Sequence, residues 1–196
     1  NHGYVTANDT GYFGYFGALA GDPKLGYYAY GLGTWRIYAL NGNCADVGGC
    51  GPKSAEVAWL KADLAANPTT CVLAYWHHPR FSSGLHGSNT IVAGLWDTLD
   101  AAGAEIVLNG HDHDYERFAP QSDSGALDMA TGIVEFVVGT GGRSHYPFLG
   151  ILPNSRAHNN TTFGVLERTL SPDSWTSRFV PIAGNAFTDT ASGTCH

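Results

Sequence analysis

Two short segments of this sequence give the strongest indication of the fold, and each joins an apolar run to a group of histidines. Residues 71–80 read CVLAYWHHPR, and residues 104–117 read AEIVLNGHDHDYER. Continuous apolar runs are typical of parallel strands buried on both faces. In open α/β sheets, the carboxyl ends of such strands meet at one edge, where ligands bind. We therefore expect the two histidine groups to lie together at one edge of a sheet.

The sequence around these runs alternates between strand-like and helix-like patterns. The predicted strands cover 26–30, 35–40, 71–76, 104–109, 133–138, 162–170 and 174–181, and the predicted helices cover 54–66 and 90–102. Strand–helix–strand units are thus followed by a run of strands. This order predicts an α/β fold, a two-sheet sandwich flanked by helices.

The composition limits the classes of function. The chain has 196 residues, of which 43% are hydrophobic and 14% charged, with a net charge of -7. This is enough for one domain with a core. No basic run is present, so we expect no nucleic-acid partner held by phosphate neutralisation. No apolar stretch reaches membrane-spanning length. An acidic enzyme can still bind phosphate if metal ions supply positive charge.

The four cysteines point to the compartment of the protein. Cys44 and Cys50 bracket a short loop that a disulfide could close. By exclusion, Cys71 would then pair with Cys195. The alternatives are four free thiols or a metal site, and the lack of a Cys-x2-Cys spacing disfavours the latter. Two disulfides with few basic residues predict a secreted, extracellular protein.

The histidines themselves point to a metal. Imidazole is the commonest ligand for zinc, iron and similar ions. His111 and His113 form an alternating pair after one strand, His77 and His78 follow the other, and His86 lies on the next loop. Solvated loop histidines are the alternative, but their coincidence at equivalent strand ends favours a hydrolytic metal site.

These residues also carry a resemblance to a known family. Residues 110–117 resemble the Gly-His-x-His-x-Tyr-Glu-Arg motif of purple-acid-phosphatase-like metallophosphoesterases, in the calcineurin-like superfamily. Residues 76–79 resemble the family's His-x-Pro motif. Asn1 and His2 resemble the end of its Gly-Asn-His-Glu/Asp motif, with Gly3 where an acid is usual. The motifs occur in the family's order along the whole chain.

The resemblance implies a dinuclear metal centre. Asn1, His77 and His111 would ligate one metal ion, and His113 would ligate the other. The ions would be divalent or trivalent, from the set zinc, iron, manganese and calcium. Such a pair hydrolyses phosphate esters with a metal-bound hydroxide as nucleophile.

The resemblance also implies roles for the residues around the metals. His2 and His86 would contact the phosphate, and one of them would protonate the leaving oxygen. The family histidine expected next is replaced by Gly87. The residues expected to support the ligands from behind are His78, Asp114, Glu116 and Arg117, the last as a structural ion-pair partner.

The implied function is a metal-dependent phosphatase acting on phosphate monoesters. A phosphodiesterase or nucleotide hydrolase could use the same metal core. The family supplies further ligands upstream of its Asn-His motif, so we expect residues 1–196 to be the C-terminal part of a single catalytic domain. The N-terminal strands would then be missing here and would be supplied covalently or by a separate chain. The alternative class is a non-catalytic fragment, or a structural subunit of an assembly.

Overall fold

A computed structural model describes residues 3–6, 9–69 and 71–196. The helices are α1 (Thr10–Phe16), α2 (Ala55–Ala66) and α3 (Ala93–Asp100), and 3₁₀ turns cover Gly3–Val5 and Gly17–Ala20. The strands are β1 (Tyr28–Leu32), β2 (Trp35–Ala39), β3 (Cys71–Tyr75), β4 (Ile106–Asn109), β5 (Tyr115–Phe118), β6 (Val134–Val138), β7 (Ser155–Asn159), β8 (Gly164–Leu170), β9 (Ser174–Pro181) and β10 (Thr190–Thr194).

The larger sheet has seven strands in the order β1-β2-β3-β4-β6-β5-β7. Its centre is parallel, because β2 pairs with β3, β3 with β4, and β4 with β6 in the same direction. Helices α2 and α3 make the crossovers that parallel strands require. The strands at the two sides pair antiparallel. The carboxyl ends of β3 and β4 consequently meet at one edge.

The layers on either side of this sheet are different. Helices α2 and α3 pack on one face through a cluster that includes Leu60, Trp96 and Val107. The three-stranded sheet, ordered β10-β9-β8, packs on the other face, where Trp175 and Phe179 are buried against the larger sheet. The prediction of an α/β fold with two sheets and flanking helices is therefore confirmed.

The local sequence signals are confirmed for several elements. The Ser54 side chain caps α2 by accepting a hydrogen bond from the backbone N–H of Val57 at 3.3 Å. The hairpin formed by β1 and β2, strand β9 and the end of α2 at Ala66 agree with the predicted pattern. Helix α3 is shorter than the predicted helix 90–102, because turns precede Ala93 and the chain leaves the helix before Gly103, which has a φ of 69°.

Three strands were missed by the sequence pattern. They are β5, β7 and β10, all edge or near-edge strands of four or five residues. Strand β7 reads Ser-Arg-Ala-His-Asn and contains no apolar run. Such strands are held by their neighbours rather than by their own hydrophobic pattern, so single-sequence reasoning has little signal for them.

Both predicted disulfides are present. Cys44 pairs with Cys50, and Cys71 pairs with Cys195. The second bond ties the start of β3 to the end of the chain beyond β10. In the part of the chain that the structure describes, none of the helices is long and apolar enough to cross a membrane.

The two disulfides should differ in their effect on stability. They close loops with sequence separations of 124 and 6 residues. In the chain-entropy model, the longer loop contributes roughly 5 kcal/mol to the free energy of unfolding and the shorter about 2 kcal/mol. We expect the Cys71→Ala/Cys195→Ala variant to lose more stability in urea than the Cys44→Ala/Cys50→Ala variant. Equal losses of stability in the two variants would contradict the larger contribution expected of the Cys71–Cys195 disulfide.

Candidate metal centre

The exits of β3 and β4 are joined by hydrogen bonds. The backbone N–H of Gly110 donates to the carbonyl of His77 at 3.0 Å. The side-chain amide of Asn109 donates to the carbonyl of Trp76 at 3.0 Å. The two histidine groups therefore lie side by side at one edge of the sheet, as the sequence predicts. The role of Asn109 is evident only once the strands are paired.

Three histidines converge at this edge. His77, His78 and His111 each offer a ring nitrogen, and these nitrogens lie within 4.8 Å of one another. Nδ1 of His111 is 3.1 Å from Nε2 of His77. Two nitrogens that each lie about 2.1 Å from one ion are themselves roughly 3 Å apart. The donor set therefore fits a metal ion. His78, which the resemblance implies as a support for the ligands, belongs to this group as well.

The environment keeps two of these rings, those of His111 and His78, in the form that can bind a metal. Burial, followed by the neighbouring His78 and His86, lowers the pKa of His111 to about 4. Burial also lowers the pKa of His78. A neutral imidazole has a lone pair for a metal, whereas a protonated one has none.

The backbone at His111 adds a further sign of function. His111 has a φ of 67°, in the left-handed region that costs a residue with a side chain roughly 1–2 kcal/mol. Strained backbone of this kind tends to occur at functional sites.

His113 and His86 are each oriented through Nδ1. Nδ1 of His113 lies 2.9 Å from the carbonyl oxygen of Ser144, and Nδ1 of His86 lies 2.8 Å from Oδ1 of Asp112. Because a carbonyl oxygen only accepts, the proton of His113 is on Nδ1 and Nε2 can ligate. His113 lies outside the three-histidine group described above. The ring of His86 lies 4.3 Å from that of His111.

The loop that carries His86 is held by buried acids. Oε1 of Glu135 accepts from the backbone N–H of Arg80 at 2.8 Å. Glu116 accepts from both the backbone N–H and the hydroxyl of Ser83, at 2.8 and 2.6 Å. Glu116 thus holds the loop that carries His86. Glu135 was not among the predicted site residues, because it lies far from this loop along the chain.

Asp112, Asp114 and Glu116 alternate along the sequence and are all fully buried. Alternating residues of an extended segment share one face, and this periodicity is the signal that could have grouped them. Among the described residues, the carboxyl of Asp114 has no hydrogen-bond partner. Burial, with contributions from Asp112 and Glu116, raises the pKa of Asp114 to about 8.

Arg117 is anchored away from the histidines. Its guanidinium donates to both oxygens of Asp189, at 2.6 and 2.9 Å. The hydroxyl of Tyr115 donates to the same carboxylate at 2.8 Å. Arg117 thus forms an ion pair with Asp189, and its structural role stays a prediction. The predictions for Asn1 and His2 fall on residues outside those that the structure describes.

The chain is similar to known phosphatases. Purple acid phosphatase 15 of Arabidopsis thaliana is 32% identical over an alignment of 130 residues, which covers 63% of this chain and 23% of that protein. Purple acid phosphatase 18 of the same plant is 33% identical over 95 residues, covering 45% of this chain and 21% of that protein. This chain therefore spans about a quarter of the length of these relatives or less. No protein-family model matches the chain.

Solved structures share the fold. A purple acid phosphatase from yellow lupin (Lupinus luteus) seeds superposes with a TM-score of 0.76 at 17% identity, over 89% of this chain and 34% of that one. GAP50 of Plasmodium, an anchor in the inner membrane complex, superposes with a TM-score of 0.63 at 15% identity, over 87% of this chain and 53% of that one. Together with the sequence matches, the lupin structure confirms the resemblance seen in the motifs. In sequence and in fold, the chain resembles purple acid phosphatases, which are calcineurin-like metallophosphoesterases.

The Arg117–Asp189 pair should stabilise the fold without serving the histidines. Both partners are largely buried, with side-chain exposures of 18% and 11%. Removal of one partner from a buried pair costs about 3–5 kcal/mol. We expect Arg117→Gln to lower the free energy of unfolding by a large part of this amount while metal content stays unchanged. The matched control is Arg178→Gln, because the Arg178–Glu167 pair is exposed and should contribute no more than about 1 kcal/mol. Loss of metal from folded Arg117→Gln would contradict this assignment.

Proposed function

We propose that this chain carries out metal-dependent hydrolysis of phosphate monoesters. The observation that carries the proposal is the placement of His77 and His111 at the ends of two parallel strands, where Nε2 of His77 lies 3.1 Å from Nδ1 of His111. The chain that carries them is similar to purple acid phosphatases. On this proposal, residues 1–196 are the C-terminal part of one metallophosphoesterase domain. The remaining ligands come from an N-terminal part, joined covalently or as a separate chain.

The proposed ligands divide between two ions. Asn1, His77 and His111 hold one ion and His113 holds the other, drawn from zinc, iron, manganese or calcium. Two such ions, when bound, activate water and neutralise phosphate charge. The protein holds ring nitrogens of His77 and His111 3.1 Å apart, a spacing suited to ligands of one ion. It also turns Nε2 of His113 into the ligating nitrogen through the bond to Ser144.

The proposed substrate contacts are His2 and His86. His86 is tied at Nδ1, so Nε2 is the nitrogen that remains for the leaving oxygen. The side chain of His86 is 41% exposed, whereas its partner Asp112 is fully buried. An exposed ring on a buried anchor can reach a substrate while staying oriented. The two disulfides support the further proposal that the protein is secreted.

Two other functions have support of their own. The same metal core would serve a phosphodiesterase or nucleotide hydrolase, since both reactions use the two-ion chemistry. A non-catalytic role in an assembly is supported by the likeness in fold to GAP50, which acts as an anchor in a membrane complex. Comparing turnover of nitrophenyl phosphate with turnover of the bis(nitrophenyl) ester distinguishes a phosphatase from a phosphodiesterase. Absence of turnover on either ester after metal reloading would favour the assembly role.

Metal binding should depend on the histidine group. We expect the natural protein to contain two metal ions per chain and to hydrolyse nitrophenyl phosphate. Chelation should abolish turnover, and reloading should restore it. His77→Ala or His111→Ala should remove bound metal, measured by elemental analysis, together with turnover. The control is His158→Ala, because His158 is exposed on β7. Full metal content in both site variants would refute the ligand assignment.

Substitution of a proton donor should lower turnover without removing metal, unlike substitution of a metal ligand. We expect His86→Ala to lower kcat by about 10²–10⁴-fold, the usual contribution of a general acid, with metal content unchanged. His2→Ala tests the other proposed donor in the same way. If neither variant changes turnover in the intact protein, the donor lies elsewhere.

A further inference from the structure

Asp112 occupies the position between the two histidines of the motif. It is fully buried, and its side chain accepts from the hydroxyl of Ser82, from the backbone N–H of His86 and from the ring of that histidine. We propose that Asp112 is the positioning residue for His86, fixing the ring so that Nε2 faces the histidine group. The inference rests on the proposed function and adds a residue to it.

The proton on the ring can be assigned from the bonding partners. Oδ1 of Asp112 lies 2.9 Å from the backbone nitrogen of His86, which can only donate, so Oδ1 acts as an acceptor. The same oxygen lies 2.8 Å from Nδ1 of His86. Nδ1 must therefore carry a proton and donate it. The second ring nitrogen, Nε2, is left for the substrate, and it can donate to the leaving oxygen when the ring is doubly protonated.

The ring is placed over the candidate centre. Its centroid lies 4.3 Å from that of His111 and 5.3 Å from that of Tyr146. The side chain is 41% exposed, so packing alone does not hold it. Two hydrogen bonds to a single carboxylate oxygen, one from the backbone and one from the ring, restrict both the loop and the ring rotation.

The anchor itself is rigid. The backbone of Asp112 passes so close to Gly139 that a Cβ at position 139 would clash with its carbonyl oxygen. On the side of the loop, a Cβ at Gly84 would lie 2.5 Å from the carboxyl carbon of Asp112. Asp112 is thus packed against Gly139 at its backbone and against Gly84 at its carboxyl group. A residue confined in this way can transmit a fixed orientation to the ring that it holds.

The test combines kinetics with a double-mutant cycle in the intact, metal-loaded protein. Asp112→Ala should lower kcat on nitrophenyl phosphate by about 10–100-fold, the range seen for orienting partners, with KM and metal content little changed. In a His86→Ala background the same substitution should cause no further loss, because Asp112 acts through that ring. Additive losses would overturn the proposal.

Two further variants separate positioning from loosening of the loop. Ser82→Ala removes another hydrogen bond from the same carboxylate but leaves His86 tied, so kcat should change little. Asp112→Asn keeps the side-chain volume and an oxygen that can accept from Nδ1, so it should retain most of the turnover. If Ser82→Ala matches the loss in Asp112→Ala, the carboxylate only supports the loop and the inference fails.

A spectroscopic measurement decides the matter without kinetics. Nuclear magnetic resonance of zinc-loaded wild-type protein should show a hydrogen-bonded proton on Nδ1 of His86, which Ser82→Ala keeps and Asp112→Ala loses. A ring with no proton on Nδ1 would overturn the proposal. If the wild-type protein hydrolyses no phosphate ester, the proposed function fails, and this signal still decides whether Asp112 holds the ring.

Discussion

The parallel pairing of β3 with β4 is the constraint on which the candidate centre depends. Their register places Tyr75 opposite Leu108, so the residues that follow the two strands emerge together. The bond from Gly110 to the carbonyl of His77 then closes the edge. A slip of one residue would turn the side chains to the opposite faces, and His77 and His111 would no longer meet.

The segment after β4 serves two purposes because its side chains alternate. Asp112 and Glu116 point toward the loop that carries His86 and bind its backbone and hydroxyls. Tyr115 and Arg117 point the other way and share Asp189, which precedes β10. One strand thus links the candidate centre to the second sheet. His78 and His111, whose pKa values burial lowers, lie on one side with acids behind them, a setting suited to a cation.

Much of this arrangement can be predicted from the sequence, because its signals are local. The apolar runs of β3 and β4, the cap at Ser54 and the short Cys44–Cys50 loop are each readable within a few residues. The contacts that orient the histidines are not. The Asp112–His86 pair spans 26 positions and the His113–Ser144 contact spans 31, so both depend on a register that only the folded chain defines. Strands β5, β7 and β10 were missed for the same reason, since their neighbours determine them.

On the proposed function, the rings at the ends of β3 and β4 hold metal for phosphate ester hydrolysis. Anomalous X-ray diffraction from crystals of the active, metal-loaded natural protein tests it most directly. We expect a metal peak about 2.0–2.1 Å from ring nitrogens of both His77 and His111, and a second ion bound by Nε2 of His113. An active protein whose metal peaks lie away from these three rings would contradict it.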